Sequence, residues 1–188
     1  MLNLPNTLTL IRILTIPIFL ECLAYHLYWE ALVIFAIGGF TDLLDGMTAR
    51  WLNQQTALGA YLDPVADKLL VISSFIMLGL IDGIPMWLTL IVVFRDALIV
   101  VGYGAIYLLV QEKMAVRPSW IGKWSTTFQL FTLAVALVML HDPKLLHPYV
   151  LPVLIAVSAT ATVMSGLQYL YRGLIWLQAR APSITPPG

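Results

Sequence analysis

Four carboxylates stand inside two apolar stretches of the chain. Asp42 and Asp45 fall in Thr41-Asp42-Leu43-Leu44-Asp45-Gly46-Met47-Thr48-Ala49-Arg50, and Asp63 and Asp67 in Gly59-Ala60-Tyr61-Leu62-Asp63-Pro64-Val65-Ala66-Asp67-Lys68. Acids spaced i,i+3 or i,i+4 share one helix face. Ionisable groups within apolar segments are expensive to keep and point to function by default. Four acids crowded into a low dielectric repel one another or stay protonated, and divalent cations remove that conflict. The donor set is all oxygen, with no His or Cys nearby in sequence, so it suits Mg²⁺ or Mn²⁺ rather than zinc. Two such ions held close together form a recurring clamp for phosphoryl transfer.

The residues between the acids fit that chemistry. Gly46 and Ala49 lie three apart beside Asp45 and leave room for a flat group to approach the backbone. Arg50 follows at once and can reach phosphate oxygens. Gly59 lets the next helix begin close to a ligand, and Pro64 is expected in that helix's first turn, where its missing N–H costs little. Small residues at such spacing also serve helix packing, and a lone intramembrane Asp also serves helix pairing. The ensemble Asp-x₂-Asp-Gly-x₂-Ala-Arg-x₈-Gly-x₃-Asp-x₃-Asp fixes eight positions in 26 residues, which favours a site over packing alone.

The elements that must carry these residues follow from composition. The chain has 188 residues, of which 60% are hydrophobic and 11% charged, against roughly 25% charged in an ordinary soluble domain. Mean hydropathy is +0.89. Such a composition excludes disorder, a fibre and a water-soluble globule, and it points to the bilayer as solvent. Formal net charge is zero, which gives no support to nucleic-acid binding. The single Cys22 excludes an internal disulfide. Apolar runs predict six helices near 8–28, 30–50, 58–81, 85–110, 120–140 and 149–176. The fold class is therefore an all-α, six-transmembrane-helix bundle.

Turn chemistry separates the runs at Asp82-Gly83-Ile84-Pro85, Arg117-Pro118-Ser119 and His141-Asp142-Pro143. The first run holds Pro17 and Glu21 and lacks a small-residue cleavage site, so it is not read as a signal peptide. Its opening, Leu2–Arg12, mixes polar and apolar residues and is compatible with lying along the membrane surface. A short turn around 51–57 would make the second and third helices antiparallel and bring all four acids to one depth.

Six spans put both termini on one side. That side receives Arg12, Arg50, Lys68, Lys113, Arg117, Lys123, Arg172 and Arg180, and the other receives Lys144 alone. The bias places both termini in the cytoplasm and the active site on the cytoplasmic face of the inner membrane. The Trp residues at 29, 51, 87, 120, 124 and 176 fall near span ends, as an aromatic belt requires. Glu21, Glu30, His26, His141 and His147 are expected at the interfaces. One membrane domain is expected over 1–180, followed by a disordered tail at 181–188. Gly102 and Gly104 could form a helix-pairing face, compatible with a homodimer.

Residues 42–67 match, at every fixed position, the signature of the CDP-alcohol phosphatidyltransferases, and the chain resembles that family more widely. Asn6-x-Leu8-Thr9-x₂-Arg12 with Pro17 is similar to the family's opening. Gly122-Lys123 with Thr126-Thr127 and Gln129, and Ser165-Gly166-Leu167-Gln168-Tyr169, are similar to segments of its phosphatidylglycerophosphate synthases. The resemblance implies a six-helix membrane enzyme that moves a phosphatidyl group from CDP-diacylglycerol to an alcohol and releases CMP. It implies that Asp42, Asp45, Asp63 and Asp67 bind two Mg²⁺ or Mn²⁺ ions. By the same resemblance Asp67 also takes the acceptor's proton, and Gly46, Ala49, Arg50 and Gly59 hold the CDP moiety.

The acceptor is harder to read. Arg95-Asp96 lies within the fourth run, and Lys113, Arg117 and Lys123 lie near the junction of the fourth and fifth. A phosphorylated acceptor such as glycerol 3-phosphate needs such cations, with Arg95 and Lys123 the candidates. Lys113 and Arg117 are equally compatible with ordinary positive-inside residues, and Arg95 with a simple pairing to Asp96. Arg-Asp after an Ile-Pro turn is also similar to CDP-lipid-dependent cardiolipin synthases, whose acceptor is phosphatidylglycerol. The Gly122-Lys123 segment favours glycerol 3-phosphate. Two other classes compete. A transporter would show repeats and broken mid-membrane helices, which the sequence lacks. A membrane prenyltransferase would space its acids differently and release pyrophosphate.

Overall fold

A computed structural model of the chain describes residues 4–52, 57–110 and 119–178. Among these residues the fold is six helices and no strand: α1 (Leu4–Ala24), α2 (Tyr28–Leu52), α3 (Ala57–Leu80), α4 (Met86–Val110), α5 (Trp120–His141) and α6 (Val150–Gln178). The expected tail at 181–188, residues 53–56 of the turn expected around 51–57, Lys113 and Arg117 lie outside the described residues, and 51, 52 and 57 belong to the flanking helices.

Helix boundaries differ from the sequence expectation in two informative places. α1 is already helical at Leu4 and continues unbroken to Ala24, through Pro17. Residues 4–12 of its mixed opening therefore belong to the same helix as the apolar run that follows. α3 begins at Ala57, so Pro64 lies two turns inside it rather than in the first turn. Proline in a helix interior removes one backbone hydrogen bond and crowds the preceding turn.

The turns have clear local causes. His26 and Asp82 both adopt left-handed φ values, 60° and 58°. Leu27 N–H then donates to the Cys22 carbonyl at 2.8 Å, and Gly83 N–H to the Leu78 carbonyl at 2.8 Å, closing the ends of α1 and α3. The left-handed residue of the Asp82-Gly83 turn is thus Asp82. Gly83 serves close approach instead, since a Cβ there would lie 2.8 Å from Leu140 Cδ1. Ser119 caps α5 by accepting the Gly122 N–H at 3.0 Å. At the other end of α5, the Asp142 carboxylate accepts the Lys144 N–H at 2.9 Å.

α1 packs on α2 and α3; α3 packs also on α4 and α5; α5 packs on α2 and α6; and α4 packs on α6. The interior has two zones. One is apolar, built from Ile16, Phe19 and Leu23 of α1, Phe35 of α2, Phe75 and Leu78 of α3, Leu88 and Val92 of α4, and Leu133, Ala136 and Leu137 of α5. Phe19 and Phe35 meet with ring centroids 6.1 Å apart. Along the same buried stripes, toward the starts of α1 and α5 and the ends of α4 and α6, buried polar side chains appear. Arg12, Arg95, Asp96, Ser125, Gln129, Thr162 and Ser165 are all buried there.

The outer faces are apolar as well: Leu14 and Ile18 on α1, Leu90 and Phe94 on α4, and Leu167 and Leu174 on α6 are all exposed. An apolar exterior of this extent marks contact with something other than water. The helices contain 21 to 29 residues, long enough for a hydrocarbon core about 30 Å thick. Among the described residues, Trp120–His141 and Val150–Trp176 are both long and apolar enough to cross a membrane.

Candidate active site

The site begins where α1 and α3 touch. On α1 the positions 12, 16, 19 and 23 form one buried stripe, and Arg12 is its polar end. Arg12 is 4% exposed, and its Nη1 donates to Asp67 Oδ1 at 2.7 Å. Asp67 itself is 44% exposed, so its carboxylate combines a buried cationic partner with access from outside. In the sequence, Arg12 stands out only within the family-like opening segment and among the cytoplasmic cations. A cation on an otherwise apolar stripe is the signal that it has a buried partner.

The next residue of α3, Lys68, turns to α4 instead. Its Nζ donates to both oxygens of Asp96 at 2.8 Å. Asp96 is 4% exposed and also accepts from Arg95 Nη1 at 2.5 Å. Arg95 in turn donates from Nη2 to Ser165 Oγ of α6 at 2.7 Å. Its Cζ lies 5.9 Å from the Tyr169 ring centroid, within range of cation–π attraction. Arg95 Nε is buried without a hydrogen-bond partner among the described residues. The pairing of Arg95 with Asp96 is therefore real, but it does not exhaust the guanidinium. A buried charge pair of this kind is held by several hydrogen bonds, and removing one partner strands the other in low dielectric.

α5 closes the site from the far side. Gly122 brings its backbone so near Arg95 that a Cβ would lie 3.5 Å from Nη2 and 3.2 Å from Ser119 Oγ. Lys123 is exposed, with its Nζ 5.3 Å from the Trp120 ring centroid. Between these elements lies a cavity of about 440 Å³, lined by Lys68, Arg95, Asp96, Lys123, Thr126 and Tyr169 among others. The structure thus brings together Arg95 and Lys123, the two residues assigned to an acceptor. It adds Lys68, which the sequence marks by its place directly after Asp67 and among the cations of the expected cytoplasmic side. Among the described residues of its lining, Lys68 and Arg95 pair directly with Asp96, and Lys123 adds a third cation.

The remaining acids are placed by their helices alone. Asp42 and Asp45 fall in the uninterrupted final part of α2, and Asp63 falls in α3 one turn before Asp67. The side chains of Asp42, Asp45 and Asp63, and those at Gly46, Ala49, Arg50 and Gly59, lie outside the described residues. Unbroken helix through 42–45 and 57–67 does put each acid pair on one face. With Asp67 half-exposed, an all-oxygen donor set fits a hard divalent cation.

Comparison with known proteins gives a consistent set of similarities. Residues 2–170 match the family described as CDP-alcohol phosphatidyltransferase. The chain is 34% identical over 178 residues to a probable phosphatidylglycerophosphate synthase of Mycobacterium tuberculosis, covering 92% of this chain and 82% of that one. It is 36% identical over 178 residues to a CDP-diacylglycerol–glycerol-3-phosphate 3-phosphatidyltransferase of Shigella flexneri, covering 89% of this chain and 93% of the relative. A protein of the same description from Salmonella typhimurium matches equally, with 36% identity and the same coverage.

Proposed function

The chain belongs to the CDP-alcohol phosphatidyltransferase family, and we propose that its acceptor is glycerol 3-phosphate, so that it makes phosphatidylglycerophosphate for phospholipid biosynthesis. The acceptor hydroxyl oxygen attacks the phosphorus on the lipid side of the pyrophosphate. The bond from that phosphorus to the bridging oxygen breaks, CMP leaves with the bonding electrons, and the hydroxyl proton passes to Asp67. The names of the relatives support this choice of acceptor.

The observation that carries it on this chain is the cavity lined by Lys68, Arg95 and Lys123, with Asp96 the one acid among the described residues of its lining. Among those described residues three positive charges less one negative leave two, which suits a phosphate monoester carrying nearly two negative charges at neutral pH. A phosphodiester headgroup such as phosphatidylglycerol carries only one. Fixed cations around the phosphate would orient the hydroxyl of a small acceptor toward the reacting phosphorus.

Asp42, Asp45, Asp63 and Asp67 would hold two divalent cations, Mg²⁺ or Mn²⁺, which supply positive charge to the pyrophosphate oxygens. Gly46, Ala49, Arg50 and Gly59 would receive the CDP moiety. The apolar runs support six spans across the inner membrane, and with six spans the lysine and arginine asymmetry supports cytoplasmic termini and a site opening to the cytoplasm. A Cβ at Gly102 or Gly104 would meet nothing within 4 Å, and that open face is where a second copy would pair in a homodimer.

The test is CMP release by purified protein in detergent, with CDP-diacylglycerol, Mg²⁺ or Mn²⁺, and an acceptor panel. Glycerol 3-phosphate should be preferred over phosphatidylglycerol, serine and inositol phosphate. A clean preference for phosphatidylglycerol would replace this reading with that of a cardiolipin synthase.

A further inference from the structure

We propose that Arg12 is a positioning residue for the reaction: its buried guanidinium fixes the Asp67 carboxylate in the one orientation from which it receives the acceptor's proton. This rests on the reading of Asp67 as the base. The argument starts from burial. A guanidinium that is 4% exposed needs a reason to be inside, and no apolar packing role requires a charge. Arg12 ends the stripe that runs through Ile16, Phe19 and Leu23, whose other members are buried and apolar. The helix is therefore anchored by packing, and the Arg12 stem inherits that rigidity.

Asp67 stands at the edge of that packing. Its side chain is 44% exposed, and an exposed carboxylate samples several rotamers unless it is held. The Nη1 to Oδ1 contact at 2.7 Å supplies a hold from the buried side, with the short distance expected of a charge-assisted hydrogen bond. The neighbouring Lys68 is tied in the opposite direction, to Asp96 on α4. The two contacts clamp this turn of α3 from both sides. Asp67 is held from α1, while the cavity lined by Lys68 and Arg95 is held from α4. A proton acceptor must be placed within hydrogen-bond reach of its proton, and small misplacements are costly in rate.

The experiment is a double-mutant cycle on the full chain in detergent, combining Arg12→Gln with Asp67→Asn. Both substrates are varied, and thermal stability is measured alongside. Arg12→Gln alone should lower kcat by about tenfold, with KM for CDP-diacylglycerol and glycerol 3-phosphate within about twofold. Added to Asp67→Asn, it should change kcat by less than about twofold, because the group it positions is gone. Arg12→Lys, which keeps the charge but not the fork, should give an intermediate kcat and serves as the second variant if Arg12→Gln does not fold. An unchanged kcat in Arg12→Gln or Arg12→Lys overturns the proposal. So does a loss of kcat that is equal whether Asp67 is intact or already replaced, which marks a purely structural role. Near-normal turnover of Asp67→Asn alone refutes the base reading, and the role of Arg12 falls with it.

Discussion

At the scale of single residues, the acidic motif is legible because its spacing is improbable by chance and its chemistry is costly inside apolar sequence. The partners of those acids are not legible. Arg12 and Asp67 are 55 positions apart, and only the packing of α1 on α3 joins them. Asp67→Asn keeps the size of the side chain and removes the proposed base, so kcat should fall by about 10²-fold or more, with CDP-lipid binding much less affected. Steady-state kinetics beside nucleotide binding for that variant check this. Excess chelator should abolish turnover, and Mg²⁺ or Mn²⁺ should restore it, as measured by CMP release after exhaustive metal removal. Lys123 and Arg95 separate binding from stability. Lys123 is exposed, so Lys123→Ala should raise KM for glycerol 3-phosphate by about tenfold with little change in melting temperature. Arg95→Ala removes a partner of buried Asp96 and should also destabilise the fold, by about 3–5 kcal/mol. Kinetics and thermal unfolding of the two variants distinguish these effects.

At the scale of elements, the six helices are legible from apolar runs and turn residues, while which face turns inward is not. In a water-soluble helix, hydrophobic periodicity marks the core. Here both faces are apolar, and the interior of the site half is marked by Arg, Ser, Gln and Thr instead. The polar residues at the start of α1 suggest a surface segment, whereas Arg12 turns inward to an ion pair. Pro64 suggests a first turn, whereas α3 extends back to Ala57. The α5 start is fixed by Ser119, whose Oγ accepts the Gly122 N–H beside the cavity. Ser119→Ala should cost about 1 kcal/mol in stability, read as a lower melting temperature in detergent. Because Gly122 lies against Arg95, the same variant should weaken glycerol 3-phosphate binding more than CDP-lipid binding.

At the scale of the whole molecule, the two zones of the interior divide labour. Apolar residues such as Phe19, Phe75 and Leu137 hold the bundle together at one end, and buried polar residues gather at the other end, around the proposed site. The proposed orientation, with the polar end toward the cytoplasm, rests on the asymmetry of lysine and arginine and is open to a direct test. With Cys22→Ser as background, Lys144→Cys should give a thiol that reacts with a membrane-impermeant reagent in intact cells. The thiol of Arg117→Cys should react only after permeabilisation. The central claim is transfer of a phosphatidyl group to a small phosphorylated alcohol. Its most direct test offers purified protein in liposomes CDP-diacylglycerol with glycerol 3-phosphate and phosphatidylglycerol together, and identifies the lipid product by mass spectrometry while CMP is counted. The expected result is phosphatidylglycerophosphate with one CMP per molecule formed; cardiolipin as the main product, or a lipid product without CMP, would contradict it.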